Sequence, residues 1–328
     1  MIAGQVKNTD AMRSFLEKSG LSSSDSYLVK PNWFFQGKGF YTDARTLELL
    51  LECLDKVTII ESYTYQRNDG TRTITPENGK LNWDWIREQD EKFLRVTGLD
   101  ILLRQYNVEY VNLTEEVWSE RIANPDNIRR SVEAAFPPVW KKELYEQVPE
   151  RIYALRGRKL ISFAKLKQQT TNRVSATLKN MFGNIIDPNR MAWHGEGDRD
   201  LAKSIVDINK VYASLFDTVG LCEAIFTAVR YTKEGRYPLP WDNRYDLIEN
   251  PGLAFCGDRL VDVDAYLSQA CGIDPNKVEH ICLAGEVFGK WAKRLIEEAK
   301  EQPIDFREQG EKETSLISAV ADRSKHVF

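Results

Sequence analysis

The chain alternates between two hydrophobic periods. Apolar residues lie three and four apart in several stretches: Met12, Phe15 and Leu16; Leu47, Leu50, Leu51 and Leu54; Leu201, Ile205, Ile208, Tyr212 and Leu215. These stripes predict helices over 10–19, 43–55 and 198–216, and weaker patterns predict helices over 84–106, 261–271 and 286–301. Thr42 is the expected cap of the second helix, and Gly272 the expected stop of the fifth. Short apolar runs bounded by turn residues predict strands over 26–29, 57–60, 108–113, 160–164, 221–231, 253–256 and 278–283. Strand, helix and strand follow one another at βαβ spacing, so the expected fold is α/β, with a mainly parallel sheet flanked by helices.

Two closely packed lobes are expected, 1–114 and 157–303, separated by a helical insertion over 115–156 and followed by a polar tail, 304–328. The insertion mixes charge with Trp118, Phe136, Trp140 and Tyr145 and is broken at Pro137 and Pro138. A polar, turn-rich stretch over 63–82 is long for a loop and reads as a lid or a small hairpin.

Composition narrows the classes. Hydrophobic residues make up 42% and charged residues 29%, a globular balance, and the net charge of −4 offers no global field for nucleic acid. No apolar run approaches the length of a membrane span, and the first ten residues lack the apolar core of a signal peptide, so a cytoplasmic location is expected. The five cysteines, Cys53, Cys222, Cys256, Cys271 and Cys282, form no close pair. They are expected to be reduced thiols, and no iron–sulfur cluster is expected. Neither a Walker loop nor a dinucleotide fingerprint is present, so no nicotinamide cofactor is expected.

The chemistry-bearing residues gather after predicted strands. Lys30 and Asn32 flank Pro31 after the first strand, Glu61 follows the second, and Lys165 and Lys167 follow the run at 160–164. In open α/β sheets ligands bind beyond the carboxyl ends of the strands, so these groups point to one cleft. Lys30 could hold an anion or move a proton. Asn32 could orient a ligand or make an Asx turn. Glu61 could act as a base or pair with a cleft lysine. Lys165 and Lys167 alternate and would share a face of an extended segment. Gln169, Thr171 and Ser175 add donors, and a helix start near Ser175 carries Lys179 and Asn180. His194 lies in a Gly-rich loop and is the natural proton-transfer group; His280 and His326 are expected to be inert. His194 with Asp198 and Asp207 could instead hold a divalent ion, although the spacing fits no tight metal motif. Asp207 sits at the edge of its apolar stripe and needs a partner, for which a cleft lysine would serve. Asp258, Asp262 and Asp264 cluster near Gly257, where Asp262 suits a helix start and Asp264 could face the cleft.

Several motifs occur in a fixed order: LVKPNWF, VTIIES, LISFAKLK, LKNMFG, a histidine, IVDIN, and CGDRLVDVDAYLSQACGIDP. This order resembles the DUF362 family, a domain of unknown function. The resemblance implies an α/β fold and a site at these motifs, but no reaction. Some members carry an added ferredoxin-like module with clustered cysteines, and this chain has no such cluster. The expectation is therefore an enzyme acting on a small carboxylate or phosphate in a lysine-lined cleft between lobes. Lys165, His194 and Glu61 are its candidate proton-transfer residues, and Lys30, Asn32, Lys167, Lys179, Asn180, Asp207 and Asp264 its candidate binding residues. A non-catalytic anion-binding protein or scaffold is the alternative, and a redox or metal-dependent protein the second. No nucleic-acid or membrane partner is expected, and a homodimer is left open.

Overall fold

The computed structural model describes residues 1–64, 67, 83–169, 173–239 and 244–304. Most of the expected lid, together with Thr171, His326 and the tail beyond residue 304, lies outside them. The strands in chain order are β1 (Ile2–Gln5), β2 (Ser26–Lys30), β3 (Lys56–Glu61), β4 (Glu109–Asn112), β5 (Lys159–Lys165), β6 (Lys167–Gln168), β7 (Val174–Ser175), β8 (Asp217–Ala224), β9 (Thr227–Tyr231), β10 (Tyr237–Pro238), β11 (Arg244–Glu249) and β12 (Leu253–Gly257).

One seven-stranded sheet has the order β1-β12-β8-β5-β2-β3-β4. Its five strands from β8 to β4 run parallel, while β12 and β1 are antiparallel additions at one edge. Both expected lobes contribute to this sheet. The chain lays β2, β3 and β4 to one side, then returns to place β5 and β8 on the other, so the strand order reverses between β2 and β5. A second sheet, β10-β11-β9-β6-β7, covers the ends of β5 and β8.

The parallel strands are buried on both faces, and the pleat sorts their side chains. Tyr27, Val29, Ile59 and Ile161 pack on one face with Leu47, Leu50 and Phe93. Leu28, Ile60 and Leu160, the alternate positions, pack on the other with Ile205, Tyr212 and Ile281. The insertion joins that second core through Ile128, Val132, Leu144 and Ile152.

Helices relevant to the site are α1 (Ala44–Leu51), α2 (Thr177–Met181), α3 (Leu201–Leu215), α4 (Leu260–Ala270) and α5 (Glu279–Phe288). The sequence expectations need correction at several elements. The run at 278–283 is not a strand but the start of α5: its buried residues His280, Ile281, Ala284 and Gly285 fall at helical spacing. The helix expected over 84–106 is interrupted at Gly98, whose φ of 74° no helix accepts. The strand expected over 221–231 is two strands in different sheets, β8 and β9. The strands β10 and β11 and the edge strand β1 were unforeseen. The cap of α1 is Asp43, which accepts from the Thr46 N–H at 3.0 Å, rather than Thr42. No helix among the described residues is long and apolar enough to cross a membrane.

Candidate functional site

The reversal between β2 and β5 opens the sheet at its carboxyl edge, where Lys30 and Lys165 end adjacent strands. Lys30 is 1% exposed, and its Nζ donates to Glu61 Oε2 at 2.8 Å and to the Pro31 carbonyl at 2.8 Å. Glu61 is equally enclosed. Its Oε2 also accepts from the Trp33 N–H at 3.2 Å, and its Oε1 from the Ser62 N–H at 3.0 Å. Both carboxylate oxygens are therefore engaged. Burial pushes the Lys30 ammonium down to about 8 against the pull of Glu61. Gly183 leans on this pair: a Cβ there would lie 2.5 Å from Lys30 Nζ and 3.2 Å from Glu61 Oε1. Gly183→Ala is expected to displace the pair and cost about 1–3 kcal/mol in chemical denaturation. A neutral result would mean that the ammonium has room to move.

The other side of the opening is built by β5 and β8, whose Lys165 and Glu223 are register partners. Lys165 Nζ lies 2.8 Å from Glu223 Oε1 and 3.9 Å from Asp43 Oδ2. Burial pushes the Glu223 carboxyl up, and Lys165 opposes this. Two residues on, Lys167 has entered the second sheet. It is 2% exposed, and its ammonium meets Asn32 Oδ1 and lies 3.4 Å from the Phe40 carbonyl. Burial, reinforced by the Lys165 charge, pushes Lys167 down to about 7.

Lys179 stands on α2 with its ammonium 3.7 Å from the centre of the Phe182 ring. Burial and the nearby Arg190 charge hold it well below the usual lysine range. Beyond it, His194 Nδ1 lies 2.6 Å from Asp198 Oδ1, and its ring packs edge-on against Phe182. Burial and the Lys179 charge keep the His194 imidazole below its ordinary value. Asn180 ties the opening together: its Nδ2 donates to the Lys30 carbonyl at 2.8 Å and to Ser162 Oγ at 3.1 Å. Its Oδ1 is buried without a partner among the described residues.

Two expected binding residues have other work. Asp264, fully buried on α4, accepts from the Thr177 N–H at 2.8 Å, Thr177 Oγ1 at 2.6 Å and the Leu178 N–H at 3.1 Å. It thus caps α2 from a neighbouring helix, and burial pushes its carboxyl up to about 7. Asp207 is held by Lys210 at 2.7 Å and by the Trp140 N–H, which fastens α3 to the insertion. No cleft lysine is its partner.

Sequence reasoning missed three members of the site. Glu223, one residue before the end of β8, lies beside Lys165 at the end of β5, a strand-end signal hidden inside a run read as one longer strand. Arg67, from the stretch read as a lid, pairs with Asp90 and donates to the Trp33 and Ser62 carbonyls at 2.9 and 2.7 Å. Arg190 donates to the carbonyls of Tyr63 at 3.0 Å and Gly183 at 2.9 Å, and burial pushes it down to about 10. The resulting balance is uneven. Lys30, Lys165 and Arg67 each touch a carboxylate, whereas Lys167, Lys179 and Arg190 have none within ion-pair distance among the described residues. Also among them, no group of three or more His, Cys, Asp and Glu side chains is placed to hold a metal ion.

Comparison with known proteins fits the order of motifs. The model of the family described as Domain of unknown function (DUF362) matches residues 28–269, and the chain belongs to that family. No curated protein matches the chain, and neither does any solved structure.

Proposed function

We propose that this DUF362 protein binds a small anionic metabolite, a carboxylate or phosphate, in the lysine-lined cleft beyond β2 and β5. There it moves a proton on the ligand, as an isomerase, lyase or condensing enzyme does. The observation that carries this reading is the pair Lys167 and Lys179. Enclosing an ammonium without a carboxylate is costly, fully for the buried Lys167 and in part for the half-buried Lys179, and a site that keeps both gains from an anion between them. Lys30 and Lys165, neutralised by Glu61 and Glu223, then serve as the rigid wall that positions them.

His194 is the proton-transfer group in this reading. A neutral imidazole that donates from Nδ1 to Asp198 leaves the Nε2 lone pair as a base. The carbon next to a bound carboxylate gives its proton to Nε2, and its electron pair spreads into the carboxylate. The growing charge there is met by the lysine ammoniums. Return of the proton to a carbon completes an isomerisation. Glu61 is a poorer base, because both its oxygens are occupied by donors.

The test is proton exchange. The protein would be incubated in deuterated buffer with a panel of small carboxylates and phosphate esters, and carbon-bound protons followed by NMR. A ligand that binds should lose its acidic C–H signal, and His194→Ala should slow that loss by roughly 10²–10⁴-fold while sparing affinity. Unchanged exchange in the variant would remove His194 from the reaction. Tight binding with no exchange would replace the enzyme with a non-catalytic anion-binding protein.

A further inference from the structure

Lys167 belongs to the cleft, yet it is closed off, with only 2% of its surface exposed. Among the described residues three groups face its ammonium: Asn32 Oδ1, the Phe40 carbonyl at 3.4 Å, and the Phe34 ring, whose centre lies at 6.0 Å. All three belong to one segment, Asn32 to Tyr41, which joins β2 to α1. Lys30 and Lys165 differ, because Glu61 and Glu223, which meet them, stand on strands of the large sheet. A connecting loop covers Lys167, whereas the sheet itself holds the other two.

The segment is a compact loop with a closed neck. The Thr42 N–H donates to the Asn32 carbonyl at 2.8 Å, the Asn32 N–H donates to Thr42 Oγ1 at 2.9 Å, and Trp33 and Tyr41 form an isolated antiparallel bridge. Beyond the neck the loop lies against the second sheet, and two side chains anchor it there. Phe40, with no exposed surface, packs edge-on against Phe35, Tyr231 and Tyr245, at centroid distances of 5.5, 5.7 and 4.8 Å. Lys38 pairs with Glu249 of β11, and both of these are exposed. The loop also borders a cavity of 240 Å³, lined by Lys38, Gly39 and Tyr41 on its own side and by Asp43, Arg45 and Thr97 across from it. An aromatic plug and a surface ion pair are attachments that can release while both sheets stay intact.

The oxygens that meet Lys167 are neutral. An amide oxygen and a peptide carbonyl hold an ammonium less strongly than a carboxylate or phosphate oxygen does. With both in place, burial and the Lys165 charge still push Lys167 down to about 7. They satisfy its hydrogen-bonding geometry and leave its charge unmet. We infer that the segment Asn32 to Tyr41 is an autoinhibitory strap: at rest Asn32 Oδ1 and the Phe40 carbonyl occupy the Lys167 ammonium, and the strap opens from its tip to give their place to a small carboxylate or phosphate. This rests on the reading of the cleft as an anion site, but the cover over Lys167 is testable without any ligand. Asn32, expected from the sequence to orient a ligand, is then the ligand's stand-in.

The first arm of the test uses the full chain alone. It receives a brief pulse of an amine-acylating reagent, and the modified lysines are located by peptide mass spectrometry. Lys30 and Lys165 are the control, because unfolding exposes all three lysines alike. Phe40→Ala withdraws the plug and should raise acylation at Lys167 about tenfold more than at Lys30 and Lys165. Phe40→Leu keeps a smaller plug, should give a smaller rise in the same direction, and serves if the alanine variant does not fold. Lys167 rising only in step with the other two, or in neither variant, would overturn the strap. The second arm titrates inorganic phosphate and acetate at about pH 6, below the Lys167 value of about 7. Asn32→Ala keeps the backbone bonds of the neck and removes only the oxygen on Lys167, so the apparent Kd should tighten about five- to tenfold. Weakened or unchanged affinity would overturn the stand-in, weakened affinity by making Asn32 a group that holds the ligand. A strap that opens in the first arm while neither anion binds any form would uphold the cover over Lys167 and overturn the anion reading of the cleft instead.

Discussion

Lys167→Met is expected to make the unliganded protein more stable while destroying its affinity for small anions. The wild-type side chain is 2% exposed, and burial pushes its ammonium down to about 7, against an ordinary lysine value near 10.4. Between those two values the unfolded chain binds the extra proton and the folded chain does not. The wild-type fold therefore gains stability as pH rises from about 7 to about 10, and carries the full penalty at or below 7. Methionine fills a similar volume without a charge. Its gain should be roughly 2–4 kcal/mol at neutral pH, after allowance for leaving Asn32 Oδ1 and the Phe40 carbonyl without their donor. The gain should vanish near pH 10. Denaturation curves at pH 7 and pH 10 measure both numbers.

The ligand side of the same substitution has the opposite sign. An anion on Lys167 favours the ammonium, so binding takes up a proton wherever the free amine is partly neutral. Affinity should be full at or below about pH 7 and fall by up to tenfold per unit above it. Removing the amine should cost roughly 2–5 kcal/mol of binding, a range typical of one partner lost from a buried charge pair. Calorimetric titration across pH would show the slope in wild type and its absence in the variant. A variant that binds as well as wild type, or a wild-type affinity flat with pH, would remove Lys167 from the site. A function that tolerates such a residue exchanges stability for a charge held ready, a common property of binding sites.

The sequence displayed the carboxyl edge of the sheet because strand ends are visible wherever an apolar run meets a polar residue. Lys30, Glu61 and Lys165 were legible for that reason. What it did not display was which strands lie side by side. Lys165 meets Glu223 only because β8 returns beside β5 after a long excursion, and Lys30 meets Glu61 because β2 and β3 are parallel neighbours. Pairing turns three apparent ligands into spent charges and leaves Lys167 and Lys179 as the unspent lysines. The alternation argument for Lys165 and Lys167 missed the same point, since Leu166 marks the passage from one sheet to the other. Asp264 was misplaced because a carboxylate that caps a helix in another part of the chain has no local signature. The apolar composition around His280 favoured a strand, whereas the same residues fall at helical spacing in α5.

Glu61→Gln should be the most damaging single change in the cleft. It leaves a single amide oxygen, which can accept from the Ser62 N–H or the Trp33 N–H but not both, and removes the charge that Lys30 faces at 2.8 Å. The buried ammonium then has only the Pro31 carbonyl as a defined acceptor among the described residues, and the expected loss is about 3–5 kcal/mol at pH 7. The Lys30 value already lies below that of free lysine, and loss of Glu61 should depress it further, so the folded variant sheds the proton. The unfolded chain retains it up to about pH 10. By the linkage relation the Lys30 part of the deficit is then largest at low pH and shrinks as pH rises through the wild-type Lys30 value of about 8, above which both folded forms are neutral. A purely steric defect would not follow that course. The double variant Lys30→Met/Glu61→Gln provides the control: with both charges gone, at least half of the lost stability should return, a coupling of about 2 kcal/mol or more. If Glu61→Gln costs less than about 1 kcal/mol, or the double variant is no better than the single, the two residues are not the mutual counter-ions drawn here. Recovery would instead mean that the pair acts as a neutralised wall, and that the charge available to a ligand in this cleft resides on Lys167 and Lys179.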